Sequence, residues 1–416
     1  MNDMRQYFPY FEHNKDITYL DNANTTQILG ACLSSYIKYY YDYNYNIGRA
    51  SYTGARNSQT MKDWALEAAA YFFCTKPENI IFTSGATEGL NMIAVSFTRL
   101  SKKLKRPLVL LTTELEHASA ILPWMAFHKD IIIKYVPLTE DDRFTIDNFK
   151  KAINDTNPDI VLVSSMTNTT GEIRPLKEIG EITKEKDIVF IVDHAQGGAH
   201  VPINVEDYNI DFLSCSLHKM YGPKSVGILY AKRPNFLQPI RFGGGMNKWF
   251  TKDKQFEIQD TNEKFHAGTE NVPEDFASIQ ALTFIAKNWQ EIKNHDIYLG
   301  TYLYKLLSRL PKIKIYSVPN SSICLFNIDG FEALDVMNYL DKKNIYIRAG
   351  NHCSKLTGDL FGLATCRVSL GIYNTEEDLI KLYKALKEMM GDELCLNNVQ
   401  DQNPAKLENV EQTNVR

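Results

Sequence analysis

No apolar run in this chain approaches the about 18 residues that a membrane-spanning helix needs, and residues 1–15 lack the apolar centre of a secretory signal. A cytoplasmic protein with no membrane partner is therefore expected. There is no Cys-x-x-Cys pair and no clustered ligand spacing, so no metal site is expected. There is no Gly-x-Ser-x-Gly turn, which argues against a serine hydrolase. There is also no Lys/Arg-dense arm or stripe: 46 Lys and Arg against 50 Asp and Glu leave a net charge of −4, and no nucleic-acid partner is expected. No internal repeat is found. The seven cysteines are scattered and odd in number, which fits reduced thiols in a cytosolic compartment; a reactive one has to be identified by its context.

What is present is a chain of 416 residues, long enough for two or three domains and a large core. Short apolar runs rich in β-branched residues fall at 80–83, 107–113, 131–136, 160–164, 188–192 and 212–216. Each is shorter than a helix, the mark of a strand covered on both faces. Helical stretches at about 54–73 and 87–98 belong to the same region. Strands alternating with helices over residues 80–230 indicate a mostly parallel sheet with helices on both faces. Residues 226–230 are read as its edge strand. A long helical pattern over 276–310 stops before Pro311. A smaller α/β unit follows, with strands near 313–317, 322–328 and 345–348 and helices near 332–342 and 375–390. The expected division is an arm over residues 1–20, a large domain over 21–275, a small C-terminal domain over 276–395 and a disordered tail over 396–416.

Two strand ends carry the chemistry. Asp193 closes the run at 188–192, and Lys219 follows the run at 212–216. Ligands bind at the C-terminal edge of an open α/β sheet. An acid and a lysine on that edge suit pyridoxal phosphate, which needs a Schiff-base lysine and a carboxylate opposite the pyridine nitrogen. Taken singly, an acid opening a turn and a lysine after a strand are both commonplace. A strand–Gly–helix turn at Ser84-Gly85-Ala86-Thr87-Glu88-Gly89 offers unpaired N–H groups to a phosphate.

Asp193-His194-Ala195-Gln196 and Ser216-Leu217-His218-Lys219-Met220-Tyr221-Gly222-Pro223 resemble the cofactor motifs of class V, fold-type I pyridoxal phosphate enzymes. They are most similar to the cysteine desulfurase and selenocysteine lyase branch that serves iron–sulfur cluster assembly. Further matches run from about Tyr19 to Asn374. The resemblance implies the fold-type I transferase architecture: a large domain with a mostly parallel seven-stranded sheet and a smaller C-terminal α/β domain. It also implies roles for individual residues. Ala86, Thr87, Ser216 and His218 would hold the phosphate, with Thr269 reaching across a homodimer to the partner's phosphate. His117 would stack on the pyridine ring and exchange protons, Gln196 and Asn168 would touch the phenolic oxygen, and Lys219 would carry the cofactor. Two departures stand out: Asn24 replaces a second alanine in the opening motif Tyr19-Leu20-Asp21-Asn22-Ala23-Asn24-Thr25-Thr26, and His266 replaces an acid before Ala267. In the relatives, the segment around Gly48-Arg49 reaches the neighbouring subunit's site.

Arg348-Ala349-Gly350-Asn351-His352-Cys353 resembles the short-loop, group II desulfurase motif, although Asn351 stands where a histidine is common. The resemblance makes Cys353 the sulfur acceptor, with Arg348 and His352 favouring its thiolate. Arg367 matches the arginine that takes the substrate's α-carboxylate, a planar fork suited to bidentate pairing. Asn168 and Arg348 would also touch substrate. A buried structural Arg–acid pair is the bland alternative for Arg367. The implied reaction converts L-cysteine to L-alanine and leaves a persulfide on Cys353 for a sulfur-acceptor protein. L-selenocysteine, cleaved without need of Cys353, is the alternative substrate, and a non-catalytic scaffold is the reading from another class. Where some relatives place a histidine for handover to a zinc-bearing acceptor, this chain has Leu334.

Overall fold

The computed structural model describes residues 4–48, 50–127, 129–362 and 364–391. Arg49 and the tail from residue 396 lie outside the described residues. The amino-terminal arm holds the one-turn helix α1 (Tyr10–His13). Its Phe8 and Phe11 are buried, with ring centroids 4.7 and 4.8 Å from Tyr373, so the arm's aromatics anchor it across the molecule. Strand β1 (Thr18–Tyr19) and helices α2 (Gly30–Asp42) and α3 (Thr53–Phe72) follow.

Seven strands then build the main sheet: β2 (Ile80–Thr83), β3 (Leu108–Thr112), β4 (Ile131–Tyr135), β5 (Ile160–Ser164), β6 (Val189–Asp193), β7 (Phe212–Ser216) and β8 (Gly227–Ala231). Their spatial order is β2-β8-β7-β6-β5-β3-β4. The neighbours from β7 through β4 run parallel, whereas β8 is antiparallel to both β7 and β2. The expected edge strand at 226–230 is therefore an interior one. Its short return from β7 makes it antiparallel, and β2 then pairs on its free side; the edges are β2 and β4. Burial fits this order: β5 is buried throughout, whereas β4 alternates between buried and exposed positions as an edge strand does. Helices α4 (Ala86–Leu104), α5 (Ala118–Met125), α6 (Ile146–Thr156) and α7 (Leu176–Glu185) connect the parallel strands. Alternate strand residues feed two separate cores. Val161, Val163, Phe190 and Val192 pack with Phe149 and Ile179, while Ile160, Leu162 and Ile191 pack with Phe97 and Trp124.

A hairpin of β9 (Asn247–Phe250) and β10 (Phe256–Ile258) precedes the 36-residue helix α8 (Val272–Leu307). Helix α8 ties the two halves together: Ala281, Ile285 and Ile292 join one core of the main sheet, and Leu299, Leu303 and Leu307 join a second unit. It kinks at Asn288, whose side-chain amide donates to the Phe284 carbonyl at 2.7 Å. The second unit is an antiparallel sheet in the order β11-β12-β15-β14: β11 (Ile313–Ile315), β12 (Ile323–Ile328), β14 (Arg348–Gly350) and β15 (Thr365–Ser369). Helices α9 (Ala333–Asp341), α10 (Gly358–Phe361) and α11 (Glu376–Met389) complete it. Helix α11 starts on a capping box between Thr375 and Asp378. Strand β1 pairs parallel with β13 (Ile345–Tyr346), and Asp21 bridges to Ser369. The turn after β1 is thereby delivered to the C-terminal edge of the main sheet, against β14 and β15.

Candidate active site

Three neighbouring strands end at one place: β5 at Ser164, β6 at Asp193 and β7 at Ser216. Asp193 is buried, and its Oδ1 accepts the Ala195 N–H at 2.9 Å. Burial pushes its carboxyl up from the usual range, against the pull of that N–H and of Lys219. Lys219 lies on the 3₁₀ turn that follows β7. Its amine is lowered to about 8, first by burial and then by the guanidinium of Arg367, with Asp193 and Cys353 pulling the other way. Asp193, Arg367 and Cys353 are therefore all near enough to act on the charge of Lys219, although the sequence separates them widely.

A strand end meets a helix start to form the anion cup. Helix α4 begins at Ala86, whose N–H donates to Ser216 Oγ at 2.8 Å. Thr87 and Ser119 hydroxyls meet at 2.8 Å on the exposed side. Gly85, at φ +150, makes the turn. Gly227 permits the close approach, since a Cβ there would stand 2.5 Å from Gly85 Cα. Gly227 was not singled out from sequence; its only signal was a glycine opening a strand.

His117 caps α5, its Nδ1 accepting the Ser119 N–H at 3.1 Å. Burial, then Lys219 and the two arginines, lower its pKa to about 4, so the ring is neutral with its proton on Nε2. Gln196 is buried, and its Oε1 has no partner among the described residues. His218 is lowered to about 4, chiefly by burial, and its carbonyl accepts the Thr26 N–H at 2.8 Å.

This donor set fits pyridoxal phosphate. The N–H groups and hydroxyls of the cup suit a phosphate, and the unpartnered Gln196 oxygen marks buried polar capacity that the protein itself does not use. Asp193, pushed toward its neutral form by burial, would be returned to the anion by a cationic ring nitrogen.

The sulfur loop closes the other side. Cys353 is exposed, with its Sγ 3.3 Å from Arg348 Nη2. His352 and Cys353 are both left-handed, at φ +53 and +59, a pair of conformations that side-chain-bearing residues adopt only when held. The restraints are visible. Asn351 Oδ1 accepts the Cys353 N–H at 3.1 Å, so the residue in the place of the usual histidine builds an Asx turn. The Cys353 carbonyl accepts the Ala118 N–H at 2.8 Å, beside His117. Asn168 Nδ2 donates to the His352 carbonyl at 2.8 Å, and its Oδ1 accepts from Ser354 Oγ at 2.8 Å.

One expectation is corrected here. His352 is not a cation beside the thiol: its Nε2 lies 2.9 Å from Thr365 Oγ1, and burial lowers its pKa to about 3. The Arg348 guanidinium is the positive group in direct contact with the thiol, while Lys219 and Arg367 act on it from farther off. Arg367 is buried and donates from Nη1 to the Asn168 carbonyl at 2.8 Å and from Nη2 to Asp21 Oδ1 at 3.2 Å. Asp21 was missed as a site residue, though it is the one acid of the opening motif. Thr269 sits apart on an exposed turn, lining a hollow with Thr83, Ser84, Arg241 and His266. His266, in the place of the usual acid, lies 3.4 Å from Glu270, and Lys62 pairs with Glu270 and Asp275.

A family model described as aminotransferase class-V matches residues 18–382. A probable cysteine desulfurase of Ureaplasma parvum serovar 3 is 32% identical over 406 residues, covering 95% of this chain and 99% of that one. A probable cysteine desulfurase of Staphylococcus epidermidis is 32% identical over 394 residues, covering 92% and 94%. Among solved structures, the apo cysteine desulfurase from Thermococcus onnurineus NA1 superposes with a TM-score of 0.87 at 25% identity, covering 94% of this chain and 98% of that one. The cysteine desulfurase CsdA of Escherichia coli, in an S-sulfonic acid form, gives 0.83 at 26% identity, covering 93% and 97%. No helix of the described residues is long and apolar enough to cross a membrane.

Proposed function

The chain belongs to the class-V aminotransferase family, in its cysteine desulfurase branch, and from that premise we propose that it moves sulfur from L-cysteine onto Cys353. The observation that carries this reading is an exposed thiol, held 3.3 Å from Arg348, on a loop tied through Asn168 to the carboxylate-binding candidate Arg367. An acceptor thiol has to be reachable, and Cys353 is exposed.

Pyridoxal phosphate, the cofactor of this family, supplies when bound an electron sink for negative charge at the substrate carbon. Lys219 would hold it covalently, and Ala86, Thr87, Ser216 and His218 would take its phosphate. Asp193 would accept the proton on its ring nitrogen, and Gln196, Asn168 and His117 would bound the ring. Arg367 takes the α-carboxylate of L-cysteine and so fixes the Cα–H bond toward Lys219. Lys219 Nζ, released as the amino group of L-cysteine takes its place and with its pKa near 8, removes that proton and later returns one. The Cys353 thiolate attacks the substrate sulfur: the new S–S bond forms as the substrate Cβ–S bond breaks, with its electron pair left on carbon. Protonation at Cβ and Cα then yields L-alanine, and Cys353 carries the persulfide. The neutral His117, its Nδ1 locked as an acceptor, has a proton to offer on Nε2.

The persulfide requires an acceptor protein, and supply of sulfur for iron–sulfur cluster assembly in the cytoplasm is the role we infer. Thr269, exposed in a single chain, suits a homodimer in which it completes the partner's phosphate site. The separating test replaces Cys353 by Ala in the holoenzyme. Release of L-alanine from L-cysteine is expected to collapse while cleavage of L-selenocysteine persists. Undiminished turnover of L-cysteine would overturn the reading.

A further inference from the structure

Both arginines of the site lead to one carboxylate that no step above uses, Arg367 directly and Arg348 through Asn24. Asp21 Oδ1 holds Arg367 Nη2 at 3.2 Å, and Asp21 Oδ2 accepts Asn24 Nδ2 at 3.0 Å. Asn24 Oδ1 in turn accepts Arg348 Nη1 at 3.3 Å, leaving Nη2 of the same guanidinium on Cys353 Sγ at 3.3 Å. The carboxylate is well anchored. Asp21 bridges in the backbone to Ser369, two residues from Arg367, and its carbonyl accepts the Tyr19 hydroxyl at 3.1 Å. Asn24 is exposed at the rim, so the chain of contacts runs from the buried fork to the open thiol.

We propose that Asp21 is a positioning residue shared by the two halves of the reaction. One oxygen keeps the Arg367 fork in place and charge-balanced until substrate arrives; the other, through Asn24, keeps Arg348 turned onto Cys353. Arg367 is the largest fully buried charged side chain, and Asp21 is the acid it pairs with among the described residues. A buried guanidinium without an anion is strongly disfavoured, so a place-holder is needed whenever substrate is absent. The substrate's α-carboxylate has to compete with it for Nη2, which makes Asp21 a brake on substrate affinity as well as an aligner. Its second oxygen explains the departure at position 24. A side chain there with both a donor and an acceptor can join a carboxylate to a guanidinium; an alanine cannot. The proposal rests on the reading of Arg367 as the carboxylate fork.

The test uses holoenzyme and two readouts that do not depend on turnover: the dissociation constant of L-alanine, followed by the change in cofactor absorbance, and the rate of alkylation of the Cys353 peptide by iodoacetamide at one fixed pH near neutrality, read by mass spectrometry. In Asp21→Asn, L-alanine is expected to bind about three to ten times more tightly, because a charge-assisted competitor is gone, and alkylation to slow at least about threefold. In Asn24→Ala, alkylation is expected to slow to the same degree with the affinity for L-alanine unchanged. Asn24 lies on an exposed turn, so this variant keeps the test open if Asp21→Asn does not fold. Weaker L-alanine binding in Asp21→Asn, or unchanged alkylation in Asn24→Ala, overturns the proposal. Arg367→Lys separates the two levels. If it binds L-alanine as tightly as the unaltered chain, the fork reading fails and takes the proposal with it; if it does not, a failure of the first two variants falls on Asp21 alone.

Discussion

The floor of the site and its rim are held by different means. The floor consists of strand ends and a helix start: Asp193 closes β6, Ser216 closes β7, and Ala86 opens α4, so sheet register fixes their positions. The rim runs from Arg348 on the short strand β14 through the loop to Ser354, where two successive left-handed residues are kept in shape by side chains of Asn351, Asn168 and, through Asn24, Asp21. In the proposed function, the floor binds and activates with parts that do not need to move. The rim there carries a thiol that has to reach substrate and then an acceptor, and it is restrained by single hydrogen bonds of modest strength. Rigid chemistry sits on regular structure, and transfer sits on a loop.

The sharpest break in this comparison is Lys219→Ala. Removing the amine is expected to lower L-alanine formation by at least about a thousandfold while leaving the alkylation rate of Cys353 within about twofold, since the loop does not hang on the lysine. Equal loss of both would show that floor and rim are one unit. Next comes the pH dependence of cofactor uptake. The Lys219 amine must be neutral to react, and with its pKa near 8 the neutral fraction falls about tenfold per pH unit below that value. Stopped-flow reconstitution of cofactor-free protein is therefore expected to speed up with rising pH and level off above about 8; a flat profile across that range would contradict a lowered amine.

Asn168→Ala attacks the tie between the two regions. It leaves the His352 carbonyl and the Ser354 hydroxyl unpaired, so a loss of about 1 to 3 kcal/mol in stability is expected by urea denaturation, with proteolytic nicking appearing between residues 350 and 362 before the strands of the main sheet open. The smallest effect concerns His352. Its pKa is lowered to about 3 when folded, against about 6.5 when unfolded, so protonation favours the unfolded chain. The stability that the neutral ring contributes is fully present above about pH 6.5 and is lost as the pH falls toward 3. In His352→Asn, the fall in melting temperature between neutral pH and pH about 5 is expected to be smaller than in the unaltered chain.

The floor was legible in the sequence because regular structure announces itself there. The buried run now seen as β5 was expected at 160–164, and an acid or lysine just beyond such a run has few places to go. Strand order was less legible. The runs at 226–230 and at β5 look equally apolar, and only pairing tells an interior antiparallel strand from an edge. The rim was legible in residue type but not in contact. Arg348 and Cys353 were expected together, whereas His352 was expected at the thiol and turns instead to Thr365. Asp21 and Asn24 act on residues 346 and 324 positions away, and no periodicity reports a hydrogen bond of that span. The replacement at Asn24 was visible as a departure; its use became visible only when β1 paired with β13 and brought the turn to Arg348.

The most direct measurement is mass spectrometry of the Cys353 peptide after mixing holoenzyme with one equivalent of L-cysteine in the absence of reductant. The expected result is a single added sulfur on Cys353, matched by an equal amount of L-alanine. L-alanine formed with the added sulfur on another cysteine, or with none on Cys353 after quenching by an alkylating agent, would contradict the assignment of Cys353 as the sulfur carrier.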